Sequence, residues 1–175
     1  MKITHLAASN WRNFKNVEFD VGERLFVVGP NAAGKSNLLD IFRFLADIAG
    51  QGGGLASAVD RRDSLKKVRS LFARTNAKGR LVVDVTLRDG GDSWRYRLSV
   101  EGEGKGRNRP VIDEELVVKN GEELLKGTVR YFISCQQPTC SGVHCTSTYQ
   151  ISLYVLYISG ISATFTSSVI RCNAL

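Results

Sequence analysis

The stretch Gly29-Pro30-Asn31-Ala32-Ala33-Gly34-Lys35-Ser36 fits the pattern G-x-x-x-x-G-K-[ST], which is the sequence of a phosphate-binding loop. The two glycines permit a tight backbone turn in which several N–H groups point inward and form a nest for anions. The lysine can reach the β- and γ-phosphates of a nucleotide, and the serine hydroxyl can bind Mg²⁺. The pattern therefore predicts a site for a nucleoside triphosphate.

The residues on either side of this loop have the patterns that such a site requires. The apolar run Leu25–Val28 precedes it and is typical of a fully buried strand. After it, apolar residues recur at helical spacing, and Gly50 is a natural helix stop. The apolar positions are Leu38, Ile41, Phe42, Leu45, Ile48 and Ala49. Strand, loop and helix thus follow in the order that points the helix N-terminus at the phosphates.

These patterns give a set of candidate site residues. Lys35 is the candidate catalytic residue, and Ser36 is the candidate ligand of Mg²⁺. Nucleotide binding is assigned to the loop and the residue after it, namely Gly29, Pro30, Asn31, Ala32, Ala33, Gly34, Lys35, Ser36 and Asn37.

The composition is that of a globular protein of one domain. The chain has 175 residues, of which 43% are hydrophobic and 23% charged, and its net charge is +7. No continuous apolar segment opens the sequence, so the expected location is the cytoplasm and a membrane partner is not expected. The basic excess is scattered, apart from a cluster of cations in residues 61–74. That cluster is either a solvated face or a patch for nucleic acid.

Outside the loop, the sequence predicts mainly strands. Residues 3–8 alternate, a polar turn covers 10–16, and a hairpin is expected between Val17–Asp20 and Arg24–Val28. Two short helical segments follow, one over Leu55–Asp63 and one over Ser64–Ala73, the second with Leu65, Val68, Leu71 and Phe72 facing inward. Residues 80–119 alternate between turn signals and predict an antiparallel meander.

The chain changes character near Lys126. All 17 acidic residues lie at or before Glu123, and residues 131–170 contain no charged side chain. We therefore divide the chain into residues 1–126 and an atypical Cys/Ser/Thr-rich tail, 127–175. Four interpretations of the tail stay open: a frameshifted terminus, a zinc site, a membrane helix over Ile151–Ile170, or plain β-rich packing. The zinc ligands would be Cys135, Cys140, His144 and Cys145.

The first 126 residues resemble a known family. The opening Ile3–Leu6, the turn Asn10–Phe14, the run Leu25–Val28 and the stretch Gly29–Asp40 are similar to AAA-family ATPases of the ABC/SMC/RecF type. The resemblance implies an α/β fold, that of a P-loop NTPase head, truncated here, with an antiparallel meander. It also implies ATP with Mg²⁺ as the bound nucleotide, a head-to-head homodimer, DNA as a partner, and Arg12 near the phosphates. Many members have glycine where this chain has Ala32.

The acidic residues that hydrolysis needs are not evident. A Walker B strand ends in an acid that orients Mg²⁺, usually followed by a glutamate that positions water. The only candidate is Leu81-Val82-Val83-Asp84, whose alternating continuation favours an ordinary meander strand. We therefore expect a hydrolysis-incompetent fragment of an ATPase for DNA repair, recombination or defence. The alternatives are a non-catalytic nucleotide-dependent interaction module and a P-loop small-molecule kinase with Asp84 as its acid.

Overall fold

The computed structural model describes residues 1–50, 53–71, 79–103, 109–127 and 168–171. The elements in chain order are β1 (Lys2–Trp11), β2 (Phe14–Asp20), β3 (Leu25–Val28), α1 (Lys35–Ala49), α2 (Leu55–Asp60), α3 (Leu65–Val68), β4 (Leu81–Asp89), β5 (Asp92–Gly102), β6 (Pro110–Lys119), β7 (Glu122–Gly127) and β8 (Ser168–Arg171). Eight strands and three short to medium helices are thus described.

Six of the strands form one antiparallel sheet in the order β2-β1-β4-β5-β6-β7. Every neighbouring pair in it is antiparallel, and the pairs from β4 to β7 follow chain order, as in a meander. One long-range pairing joins β1 to β4, with Leu6 opposite Val85 and Ala8 opposite Val83. This pairing places the N-terminal hairpin beside the meander, so the first residues of the chain complete the sheet.

The strand that leads into the loop lies in a second, two-stranded sheet. β3 pairs in parallel with β8, with Leu25 opposite Ser168 and Val28 opposite Arg171. Along β3 the side chains alternate in exposure, and Phe26 and Val28 remain 49% and 46% exposed. The prediction of a fully buried strand is therefore wrong for these two residues, because no described element covers that side of β3.

One hydrophobic core joins α1, the two shorter helices and the inner face of the large sheet. Helix α1 buries one stripe in it, consisting of Leu38, Ile41, Phe42, Phe44, Leu45, Ile48 and Ala49. From the sheet, β4 and β5 contribute residues on alternate positions: Leu81, Val83, Val85, Leu87, Tyr96, Leu98 and Val100. The helical stripe read from the sequence is confirmed, with Phe44 added to it.

The α/β class with an antiparallel meander is confirmed, as are strand β3 and helix α1. The predicted hairpin between Val17–Asp20 and Arg24–Val28 is wrong, because β2 pairs with β1 and β3 belongs to the other sheet. The prediction that Leu71 faces inward is also wrong, since this side chain is 67% exposed, and Phe72 lies outside the described residues. Strand β1 runs on through Trp11, so the predicted polar turn shrinks to Arg12 and Asn13.

The tail is described only at β8, so most predictions for it are not tested. The four proposed zinc ligands and residues 151–167 of the proposed membrane helix lie outside the described residues. Within the described part of the chain, no helix combines the length and the apolar character needed to cross a membrane. The boundary between residues 1–126 and 127–175 stays a prediction.

Candidate nucleotide-binding site

The loop between β3 and α1 has an unusual backbone at two positions. Ala32 has φ 64° and Gly34 has φ 95°, both in the left-handed region that side chains disfavour. At Gly34, an added Cβ would also lie only 2.9 Å from the Phe14 ring and from the Asn13 side-chain oxygen. Glycine is therefore required at position 34 for two separate reasons. At Ala32 the methyl group is accommodated at some strain, which gives a physical reason for glycine at this position in similar loops.

Lys35 is the first residue of α1, and its side chain folds back over the loop. Its Nζ donates hydrogen bonds to the carbonyl oxygens of Gly29, at 2.9 Å, and Pro30, at 2.7 Å. The backbone N–H of Ala33 donates to the Pro30 carbonyl at 3.3 Å, which closes the turn. The ammonium group is thus held at the loop by backbone atoms, with no described carboxylate paired to it. The Lys35 ammonium can therefore exchange these carbonyl oxygens for the oxygens of an anionic ligand.

The N-terminus of α1 is open for an anion. Gly34 precedes the helix, and among the described residues no side chain caps it and no acidic residue lies in its first turn. The first intrahelical bond runs from the Leu38 N–H to the Gly34 carbonyl, at 2.9 Å. Ser36 is exposed, as are Asn31 and Ala32, whereas Ala33 is buried. The N–H groups of the first helical turn, the helix dipole and Lys35 together favour negative charge at this end of the helix.

The turn between β1 and β2, residues 11–14, lies against the same end of α1. We call these four residues the hairpin tip. The Trp11 indole N–H donates to the Asn37 carbonyl at 2.8 Å, and the Asn37 amide donates to the Asn13 side-chain oxygen at 2.8 Å. Trp11 is fully buried, and its ring meets Phe44 edge-on with the centroids 5.1 Å apart. The tip therefore contacts α1 on one face over three turns.

Arg12 of the hairpin tip pairs with an aspartate of α1. Its Nε and one terminal nitrogen donate to Asp40 Oδ2 at 2.9 and 2.7 Å. The predicted role of Arg12 at the phosphates stays a prediction, since the structure places its guanidinium on this carboxylate. The loop residues 29–36 and Asn37 adjoin one another through the chain itself, whereas Arg12 is brought beside α1 by the β1–β2 hairpin.

Asp40 is the centre of an ion-pair cluster, which we define as Arg12, Asp40, Asp47, Arg61 and Arg62. Arg62, with a side chain only 5% exposed, donates to Asp40 Oδ1 at 2.8 Å and to Asp47 Oδ2 at 2.7 Å. Burial opposes ionisation of Asp40, but the hydrogen bonds and charges of Arg62 and Arg12 outweigh it, so the pKa of this carboxyl lies below its ordinary value. The cluster fixes α1 to α2 and to the hairpin tip.

The described part of this basic stretch, residues 61–71, is therefore only partly a solvated face. Arg62 is buried and paired, Arg61 binds Asp47, and Lys67 binds Asp63 at 2.8 Å. These residues line a cleft of about 470 Å³ beside α1 together with Arg43. The sequence patterns indicated no role in the site for Asp40, Arg62 or Asn13. For Asp40 a signal existed, because Gly34, Asn37 and Asp40 recur at the three-residue spacing of one helical face.

Asp84, the only candidate Walker B acid, lies in the middle of an antiparallel strand. It is opposite Ala7 of β1 and Arg97 of β5, and it accepts bonds from Arg95 at 3.0 and 2.7 Å. This position agrees with an ordinary meander strand. Within the described ranges, no three His, Cys, Asp or Glu side chains are grouped so that they could hold a metal ion.

Comparison with known proteins shows which family this chain resembles. The family model described as "AAA domain, putative AbiEii toxin, Type IV TA system" matches residues 25–136, well over half of the chain. No curated protein matches this chain. Two similar solved structures are "Structure of the recombination mediator protein RecF-ATP in RecFOR pathway" and "SMC head domain from Thermotoga maritima".

The first of these is 18% identical with a TM-score of 0.44, and the alignment covers 70% of this chain and 28% of that one. The second is 16% identical with a TM-score of 0.35, and covers 71% of this chain and 39% of that one. This chain thus spans well under half the length of either protein. The resemblance to AAA-family ATPases read from residues 1–126 is confirmed by the family match, and the chain belongs to this AAA-domain family.

Proposed function

We propose that residues 29–36 bind ATP together with Mg²⁺. The observation that carries this proposal is the position of Lys35, whose ammonium lies over the loop and, among the described residues, is held there by the Gly29 and Pro30 carbonyls. A phosphate group is a stronger partner for an ammonium than a neutral carbonyl, because both partners are then charged. Binding of the β- and γ-phosphates would therefore draw Lys35 from the loop onto the nucleotide.

The donor set of the site fits a magnesium nucleotide. Backbone N–H groups of the loop and of the first turn of α1 would hold the phosphates, with Lys35 on the β- and γ-phosphates. The exposed hydroxyl of Ser36 is a hard oxygen donor, of the kind that Mg²⁺ prefers. The metal, when bound, would neutralise charge on the phosphates, and the remaining residues of the site would orient them.

We propose further that this chain by itself turns over ATP only at a trace rate. Hydrolysis needs an acid that orients Mg²⁺ and a base that positions water. In the described ranges, Asp84 is engaged by Arg95 and Arg97, and Glu114 faces Arg97 at 3.4 Å. These pairs support the view that neither acid serves the phosphates. Turnover would then require two complete heads that sandwich the nucleotide, in a machine for DNA repair, recombination or defence.

The second candidate function is a non-catalytic module whose association with partners depends on bound nucleotide. The same ion pairs of Asp84 and Glu114 favour it, because they leave nucleotide binding without an evident hydrolytic acid among the described residues. Phosphate release measured with and without DNA separates the two functions. Stimulation of the trace release by DNA supports an ATPase head, whereas binding with no release above that of Lys35→Ala under any condition supports the module.

Calorimetric titration with Mg-ATP tests the binding proposal directly. The wild-type chain, Lys35→Ala and Lys66→Ala are compared, the last being a matched control because Lys66 is an exposed lysine on α3. We expect wild type and Lys66→Ala to bind alike, and Lys35→Ala to bind at least tenfold more weakly, since a charge-assisted contact is worth about 1.5–3 kcal/mol. Equal weak heats for all three proteins would refute the proposal.

A further inference from the structure

We infer that the hairpin tip is a positioning device for the phosphate-binding loop and that Asn13 is its principal positioning residue. This inference rests on the proposed nucleotide site and adds to it residues that lie outside the loop. Its basis is a set of contacts between residues 11–14 and one face of α1, at Gly34, Asn37 and Asp40.

The hairpin tip contacts α1 at three regularly spaced residues. Gly34, Asn37 and Asp40 are three residues apart, so they lie on one face at the phosphate end of α1. Asn13 meets the first two of them, and Arg12 meets the third. The tip itself is anchored elsewhere, because the Arg12 N–H donates to the Val68 carbonyl at 2.7 Å and Trp11 is buried in the core. The tip is thus a fixed surface against which the first turn of α1 is set.

Asn13 acts on this turn in two ways. Its side-chain oxygen accepts a hydrogen bond from the Asn37 amide at 2.8 Å. Its amide group also packs so closely on Gly34 that a Cβ there would collide with it. A first helical turn has few hydrogen bonds of its own and frays readily. The contact with Asn13 therefore restricts Gly34 to its observed left-handed conformation, at φ 95°, from which the helix starts.

The expected consequence is pre-organisation of the anion site. A loop that is already fixed in its binding conformation loses less conformational freedom when the ligand arrives, and so it binds more tightly. Asn13 is exposed and contributes no buried apolar surface. Its removal is therefore expected to weaken nucleotide binding more than it weakens the fold. This separation between binding and stability distinguishes a positioning role from a structural one.

The test compares Asn13→Ala with Asn16→Ala, a matched control on the same hairpin. Asn16 is also an exposed asparagine, and it lies on β2 opposite Ser9 of β1. We expect Asn13→Ala to bind Mg-ATP roughly threefold to tenfold more weakly than wild type, the effect of one hydrogen bond, and Asn16→Ala to bind like wild type. Thermal unfolding midpoints of the two variants are expected to agree closely.

A double-mutant cycle shows whether Asn13 acts through Asn37. If it does, Asn13→Ala/Asn37→Ala binds no more weakly than the worse of the two single variants, because both remove the same contact. Fully additive losses in affinity would mean that Asn13 does not act through Asn37, and would overturn this part of the inference.

Hydrogen exchange gives a readout that needs no nucleotide. In Asn13→Ala we expect faster exchange in a peptide spanning Gly34–Ile41, where the Leu38 N–H is the first protected amide, and no change there in Asn16→Ala. If wild type fails to bind ATP while this exchange difference is present, the proposed function falls and the positioning role stands. Unchanged exchange and unchanged affinity in Asn13→Ala overturn the positioning role.

Discussion

Replacing Arg62 by methionine should destabilise this protein far more than the same change at its neighbour Arg61. The two arginines are adjacent and share Asp47 as an acceptor, but their side chains are 5% and 63% exposed. Arg62 also binds both oxygens of Asp40 and the Ala58 carbonyl, and it lies 5.2 Å from the centroid of the Phe44 ring. Methionine retains an apolar chain of similar length and removes every one of these donors.

The size of the destabilisation depends on which ion-pair partners Asp40 and Asp47 retain in the variant. Removing one partner of a buried ion pair costs about 3–5 kcal/mol, because the other charge stays buried without compensation. In this protein Asp40 keeps Arg12 and Asp47 keeps Arg61, so the compensation is only partly lost. We therefore expect a loss of about 3 kcal/mol in the free energy of unfolding for Arg62→Met, at the lower end of that range. For Arg61→Met we expect less than about 1 kcal/mol, the usual value of an exposed pair.

Urea unfolding followed by circular dichroism measures both free energies on the same chain. At this chain length, a loss of about 3 kcal/mol corresponds to a fall of roughly 6–12 °C in the thermal midpoint, which calorimetry can check independently. The urea m-value should stay the same in both variants, since neither changes the surface exposed on unfolding. Equal destabilisation by Arg62→Met and Arg61→Met would refute the reasoning, because the Arg62 side chain is buried among several acceptors whereas the Arg61 side chain is exposed and pairs with Asp47.

Four further predictions concern the loop, the ion-pair cluster and strand β3. Gly34→Ala should abolish Mg-ATP binding in calorimetry, because alanine at φ 95° is strained and its Cβ would meet Phe14; retained affinity would contradict the loop geometry. Ala32→Gly should bind at least as tightly as wild type and raise the thermal midpoint, since it relieves the left-handed strain at φ 64°. Folding lowers the pKa of Asp40, so its carboxylate stabilises the protein above the ordinary value of 3.8, and this stabilisation is lost as pH falls through the lower folded-state pKa. The difference in unfolding free energy between wild type and Asp40→Asn, measured with urea, should therefore decrease on acidification, and a constant difference down to about pH 2.5 would contradict this. Phe26→Ser should reduce self-association, measured by light scattering, with the fold retained, because Phe26 is an apolar side chain that is 49% exposed on β3. An unchanged particle size would show that this apolar surface does not cause self-association.

The segment from Leu25 to Gly50 could be predicted from the sequence almost completely. Its signals are local: an apolar run, two glycines at fixed spacing, and apolar residues at the helical period. The structure has strand β3, the loop with Gly34 at positive φ, and helix α1 with the predicted apolar stripe buried. The meander could also be predicted, because alternation along each strand and the two-residue turns at 90–91 and 120–121 indicate both the strands and their pairing.

Pairings between distant segments could not be read in this way. Strand β2 could pair with β1 or with β3, both of which are close to it in the chain. The sequence favoured β3, because Gly22 lies between β2 and β3. In the structure β2 pairs with β1 through the tight turn at Arg12 and Asn13, and β1 takes β4 as its other neighbour. Strand partners depend on which apolar faces can be buried together, and that is a property of the whole core and not of any one strand.

The sequence by itself thus determined that this chain has a glycine-bounded loop of the phosphate-binding pattern between a strand and an amphipathic helix, because glycine spacing and helical period act within a few residues. Only the tertiary structure decided what supports that loop. Arg12 reaches Asp40 across 28 positions, Arg62 reaches the same carboxylate across 22, and Asn13 reaches Asn37 across 24. The identity of a charged or amide side chain does not indicate its hydrogen-bond partner, since it can bind any partner of suitable geometry. The partner is chosen when folding brings the hairpin tip, α1 and α2 together around one core.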